Sequence, residues 1–259
     1  MAVKKTKKLS GQATVTTINN DQKFPVTDAN GKITLISLAN LKTALLAGMN
    51  LNGLYDSIFI MYHRKSDDYP LMVKPHKWTS LQNSGEIADG VVVVEGGKIL
   101  VVAPTESTSK LTWSSAAISG GGTTTTDRVT AMNDWNGKAN TAATIKASKA
   151  NAITNTVQYA PGYCNLYNRA NANGKGLTAG KWWLPSLGEM FMIYANMTKI
   201  NYALSLITGA TQLVEDWYWT STEGSAANAW GLYLYDGTNL WGTKASGTPR
   251  VRAVSAFIF

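Results

Sequence analysis

Cys164 is the only cysteine in the chain of 259 residues. No intrachain disulfide can form, and a thiolate zinc site or a disulfide-stapled scaffold is excluded. Histidine is nearly as scarce. His63 and His76 lie in one stretch with no G-x-S-x-G and no HExxH nearby, so no hydrolase arrangement of nucleophile and base can be traced, and both read as structural or surface residues. Catalytic residues, metal ligands and cofactors are all expected to be absent, and the reading is that the chain is not an enzyme. Charge is thin as well: 15% of residues are charged, against roughly 25% in an average soluble domain. Serine, threonine, asparagine and glycine must therefore supply much of the surface.

Long apolar runs are missing too. No stretch approaches the 18 or so residues of a membrane span, and the lysines at the start are not followed by the apolar run of an export signal. The expectation is a protein made in the cytoplasm and not inserted into a membrane. The glycine run in "SGGGTTTTD" has no G-K-[ST] after it, so it reads as loop and not as a phosphate cradle. The net charge of +8 is concentrated: Lys4, Lys5, Lys7 and Lys8 supply half of it. A short basic tail is ordinarily a solvated one, and no nucleic-acid partner is expected.

What is present is organised in three parts. Residues 1–45 read as a small N-terminal module, with strands in "ATVTTI" and "KITLISL" and a helix in "LANLKTALLAG" closed by Gly48. Such a module is too small to hold a core alone, which suggests oligomerisation or attachment. Residues 46–84 read as a bridging segment, with "DSIFIMYH" a strand and "YPLMVKPHKW" an extended edge in which Pro70 and Pro75 discourage helix. Residues 85–259 read as the main domain. It opens on "GVVVVEGGKILVVAP", two β-branched runs separated by Gly96 and Gly97, which is a hairpin pattern.

Further along, "ANTAATIKASKANAI" is an alanine-rich helical stretch. Ser186 and Glu189 have the spacing of a capping box, ahead of an i, i+3, i+4, i+7 stripe of Leu187, Met190, Phe191 and Tyr194. That stripe reads as packing. A second helix is expected over 199–207, ending at Gly209. The last fifty residues, with "DWYWTST", "AWGLYLYDG" and "RVRAVSAFIF", read as strands, so the fold class is mixed α+β and not alternating βαβ.

Between 217 and 241 lie Trp217, Tyr218, Trp219, Trp230, Tyr233, Tyr235 and Trp241. Alternation along a strand puts Trp230, Leu232 and Leu234 on one face, expected to be buried, and Gly231, Tyr233 and Tyr235 on the other, expected to be presented. Tyrosine among serine, glycine and asparagine is a recognition vocabulary. An ordinary antiparallel sheet with incidental surface tyrosines fits the same pattern.

The order "KWWLPSLGEM", "NYALSLI", "WYWTSTE…AW" and "RVRAVSAF" resembles the C-type-lectin-fold domains related to the formylglycine-generating-enzyme fold. More narrowly, it resembles the variable proteins of diversity-generating retroelements of gut Bacteroidales and their phages. The likeness runs from about Gly90 to Phe257. It implies a lectin-like α+β fold with twisted antiparallel strands and two main helices. It also implies a constant framework of Trp219, Thr222, Glu223, Trp230, Gly237, Lys244, Arg250, Val251 and Arg252 holding a variable region of about 217–249.

The ligand-binding positions implied are Gly224, Ser225, Asn228, Gly231, Tyr233, Tyr235, Asp236, Asn239, Thr243, Ser246 and Thr248, with Trp241 among the candidates. In this family codons are altered at their adenines, and most of these residue types are reachable from an asparagine codon in that way. Trp241 is not, so it is either framework or encoded differently. The implied function is a hypervariable receptor-binding protein at a phage tail-fibre tip that recognises a host surface protein or glycan. Its N-terminal module would attach to the fibre or drive assembly of a homotrimer, and the location would be the virion. A bacterial surface or fimbrial adhesin and a structural virion fibre subunit are the alternatives. The enzymes of the formylglycine-generating type need a cysteine pair, which this chain lacks.

Overall fold

The computed structural model describes residues 23–27, 31, 33–41 and 57–257. The chain divides into two compact units, Met1–Gly53 and Leu54–Phe259. In the first, β1 (Lys23–Thr27) and β2 (Ile33–Ser37) form an antiparallel pair in which Thr27 faces Ile33. The strand expected in "ATVTTI" and most of the helix expected in "LANLKTALLAG" lie outside the described residues; 38–41 are helical. Strand β1 was not anticipated, because Pro25 interrupts its pattern.

The second unit is built on a five-stranded antiparallel sheet. Its strands are β3 (Ser57–His63), β4 (Pro70–Val73), β5 (Ala88–Glu95), β6 (Lys98–Val102) and β12 (Val254–Ser255), in the order β12-β6-β5-β3-β4. The β5–β6 hairpin forms where expected: Gly96 and Gly97 have φ of 55° and 75°, which the tight two-residue turn requires. Four consecutive valines in β5 are all buried because both faces of the sheet are covered. Val91 and Val93 join one core with Trp78, Leu187, Met190 and Ile193. Val92 and Val94 join a second with Trp113, Trp182, Leu184 and Trp219. A strand covered on both sides carries no alternation.

This sheet corrects the expected boundaries. Residues 57–84 are not a bridge: β3 is the central partner of β4 and β5, so the "bridging" segment belongs to the body of the second unit. Pro75 does not prevent helix either. It starts a 3-10 turn, Pro75–Lys77, that leads into α1 (Trp78–Asn83), a position where its missing N–H goes unneeded. Trp78 is then buried against Tyr62, ring centroids 5.7 Å apart.

The helices that follow are α2 (Arg128–Met132), α3 (Gly137–Ala147), α4 (Ala160–Leu166), α5 (Leu187–Ala195) and α6 (Met197–Ser205), with the short pair β7 (Arg169–Ala170) and β8 (Gly176–Leu177) between α4 and α5. Two main helices were expected. Among the described residues three reach nine residues or more, namely α3, α5 and α6. The α5 capping box is complete, with the Ser186 side chain accepting from Glu189 N and the Glu189 carboxylate accepting from Ser186 N at 2.9 Å. The class is mixed α+β with antiparallel sheets throughout. The expected C-terminal strand is reduced to two residues, and the Arg250 backbone bonds instead to Trp217 O and Trp219 N.

Candidate ligand-recognition surface

The aromatic segment forms a second sheet of three antiparallel strands, β9 (Trp217–Glu223), β10 (Asn228–Tyr233) and β11 (Asn239–Thr243), in the order β11-β10-β9. Its ends are clasped from below. Glu223, at the end of β9, and Lys244, just after β11, form an ion pair with both side chains fully buried. The Glu223 carboxylate also accepts from Gly120 N at 2.8 Å, and Lys244 Nζ donates to the Ile118 carbonyl at 2.7 Å and lies 4.3 Å from the Trp113 ring. Burial pushes the Lys244 ammonium below its ordinary pKa, and the Glu223 carboxylate opposes that shift. A buried pair survives only when such further partners satisfy it.

Of the other expected framework residues, Trp219, Thr222, Trp230, Val251 and Arg252 lie in the interior, while Gly237 and Arg250 are half-buried. Trp219 is fully buried and donates from Nε1 to Leu111 O at 2.9 Å. The Thr222 hydroxyl donates to Asp134 Oδ2 at 2.7 Å and accepts from Leu187 N at 2.9 Å. Val251 is buried. Arg250 bridges Glu106 and Asp216 at 2.7 and 2.9 Å. Arg252 donates to the carbonyls of Ala103 and Thr211, both at 3.0 Å. Gly237 has φ of 78° at the β10–β11 turn, a conformation that favours glycine. In the same turn the Thr238 N–H, followed by its hydroxyl, holds the Asp236 carboxyl below its usual range.

Of the twelve candidate binding positions, Tyr235, Asp236, Trp241, Thr243, Ser246 and Thr248 are exposed, Tyr235 at 65% and Trp241 at 45%. Ser225, Asn228 and Tyr233 are half-buried. The Ser225 hydroxyl accepts from Ala227 N and Asn228 N, both at 3.1 Å, so this residue shapes its turn. Tyr233 stacks on Trp217, centroids 5.5 Å apart and planes within 10°.

Gly224, Gly231 and Asn239 are buried, which corrects the expectation that they face outward. Alternation fails at Gly231 because β9 and the middle of β10 are covered on both faces, while the edge strand β11 is not. Trp217 lies across Gly231, so that any Cβ there would collide with its indole. A Cβ on Gly224 would meet the Trp241 ring at 3.2 Å. Asn239 pairs with Leu232 on the face that carries Trp230.

Two contributors escaped the sequence pattern. Leu240 is 46% exposed between two residues that were named, because β11 is the edge strand and does not alternate cleanly. Arg128, at the start of α2, lines a groove with Trp230, Asn239 and Trp241. It is about a hundred residues away in sequence, and nothing in its local pattern points to the aromatic segment.

Of the two histidines and the cysteine, His76 is exposed, and His63 and Cys164 are packed away. His63, expected at the surface or in a structural role, is buried with Nδ1 2.6 Å from Asp89 Oδ2, and Asp89 also accepts from Leu177 N at 3.3 Å. Cys164 is buried, and desolvation pushes its thiol well above the ordinary value, which leaves it without thiolate reactivity at neutral pH. Among the described residues no helix is long and apolar enough to cross a membrane. No family model matches the chain, nor does any curated protein or solved structure.

Proposed function

We propose that the chain is a non-enzymatic recognition protein with a C-type-lectin-like second unit, and that the outer positions of residues 224–248 bind a molecule on a host cell surface. The observation that carries this reading is the separation of roles within one short segment. Glu223, Trp230, Leu232 and Lys244 are locked inside, while Tyr235, Leu240, Trp241 and Thr243 on the turn and edge strand between them, and Ser246 and Thr248 just beyond Lys244, stand in solvent. Large exposed aromatics on a fixed frame are what a binding surface needs: wide contact at low entropic cost.

The resemblance to variable proteins of diversity-generating retroelements extends the proposal. On that view the protein is a phage tail-fibre tip whose exposed positions are rewritten while the frame is kept. The N-terminal unit attaches it to the fibre or assembles a homotrimer, and several copies bind at once, so a weak single site gains avidity.

Binding of the fluorescently labelled protein to a panel of bacterial cells tests the recognition role. Tyr235→Ala and Trp241→Ala should both abolish or redirect binding, Tyr235→Ala with the melting temperature unchanged and Trp241→Ala with a modest loss from its packing on Trp230. Retained binding by both variants overturns the assignment of this surface. Diversification is read from the DNA beside the gene: a second copy of the segment for 217–249 differing at adenines, with a reverse transcriptase, supports it, and the lack of both removes it.

A further inference from the structure

Strand β11 and the residues that lead into α2 enclose a groove of about 450 Å³, lined by Thr126, Arg128, Trp230, Asn239, Leu240 and Trp241. That volume is within the roughly 300–1,000 Å³ of small-molecule sites. Three of its features are unsatisfied by the protein itself. Trp241 is held edge-on against Trp230, centroids 5.2 Å apart at 78°, which fixes the indole and leaves nearly half of it in solvent. Asn239 is only 6% exposed, yet its buried Oδ1 has no hydrogen-bond partner, and a buried acceptor left unmet costs about 1–3 kcal/mol. The guanidinium of Arg128, exposed at the start of α2, makes no ion pair among the described residues.

We propose that this groove is a subsite for an acidic monosaccharide, a uronic or sialic acid residue of a surface glycan. The proposal rests on the recognition reading above and adds to it the ligand class and a binding residue outside the segment 217–249. Each unmet feature asks for a different part of such a ligand. The flat Trp241 face takes the C–H face of a pyranose ring. Asn239 Oδ1 takes a hydroxyl or amide donor. Arg128 takes the carboxylate, for which its planar fork is suited. A neutral sugar leaves Arg128 unused, and an acidic side chain from a peptide brings no ring to Trp241.

Titration of the full chain with methyl glucuronide, N-acetylneuraminic acid, methyl glucoside and a glutamate-containing hexapeptide, followed by ligand-observed NMR and tryptophan fluorescence, tests this. The acidic sugars should bind on the order of tenfold more tightly than the glucoside, the worth of one charge-assisted contact. Arg128→Gln should erase that preference with the melting temperature unchanged, and Trp241→Ala should weaken all the sugars in a chain that still melts cooperatively. Equal binding of acidic and neutral sugars overturns the proposal, as does a preference that survives Arg128→Gln, or a peptide that binds as tightly as the sugars. The two readings separate on cells. Cell binding that depends on Tyr235 but persists in excess of both acidic sugars overturns the subsite and leaves the recognition surface standing.

Discussion

At the scale of single residues, the difference between Tyr233 and Tyr235 shows how exposure decides consequence. Tyr235 projects into solvent, so Tyr235→Ala should change stability by no more than about 0.5 kcal/mol. Tyr233 is stacked on Trp217 and helps cover Gly231, so Tyr233→Ala should cost more, and the two are readily compared by thermal melting. Trp219→Ala should cost about 3–5 kcal/mol, because the ring is fully buried among Trp217, Gly242 and Gly247. The Glu223 and Lys244 pair should behave asymmetrically. Glu223→Gln leaves a buried ammonium without its counter-charge and should cost about 3–5 kcal/mol, whereas replacing both residues by apolar ones of similar size should recover much of that loss. A urea denaturation series on the single and double variants measures it.

At the scale of elements, α5 carries a pH dependence. Burial pushes the Glu189 carboxyl up to about 7, with nearby Asp134 adding to the rise, while the Ser186 N–H and the Trp183 indole N–H oppose it. The folded state then binds this proton more tightly than the unfolded chain, whose value is near 4.5. Stability from this group is full below about 4.5 and declines as pH rises toward about 7. Glu189→Gln should flatten that part of the profile, so the difference between wild type and variant in melts from pH 4.5 to 8 gives the sign directly. Ser186→Ala removes the other half of the cap and should cost about 1 kcal/mol.

The same scale shows what could be read in advance. The capping box and the Gly96-Gly97 turn are local, and both formed as the pattern predicts. Helix α1 was missed because Pro75 was weighed as a breaker when it sits at the opening of a helical turn. Gly231 is expected outward because alternation presumes one wet face, whereas Gly224 and Asn239 are implied outward by the resemblance alone. Whether the far face is wet depends on Trp217, and its position is set by the tertiary structure.

At the scale of the whole molecule, the five-stranded sheet lies between two cores that share β5 and β6. The unit Leu54–Phe259 should therefore unfold as one cooperative step, and residues 54–259 expressed alone should give a single calorimetric transition with equal van't Hoff and calorimetric enthalpies. The aromatic strands were legible as a group from their composition. The groove was not, because it joins Arg128 to Asn239 and Trp241 through chain reversals that no local pattern encodes.

The buried clasp of Glu223 and Lys244 also has a meaning for inheritance. It fixes the two ends of a stretch of chain at neighbouring points in the interior, a geometry that would let the exposed positions between them be exchanged, as the proposed function requires. Substitutions at its solvent-facing letters leave the frame untouched. A survey of all single substitutions between 223 and 244 should find tolerance at the exposed Ala226, Ala227, Tyr235, Asp236, Thr238 and Thr243, and intolerance at the buried Gly224, Ala229, Trp230, Gly231, Leu232, Leu234, Asn239 and Gly242.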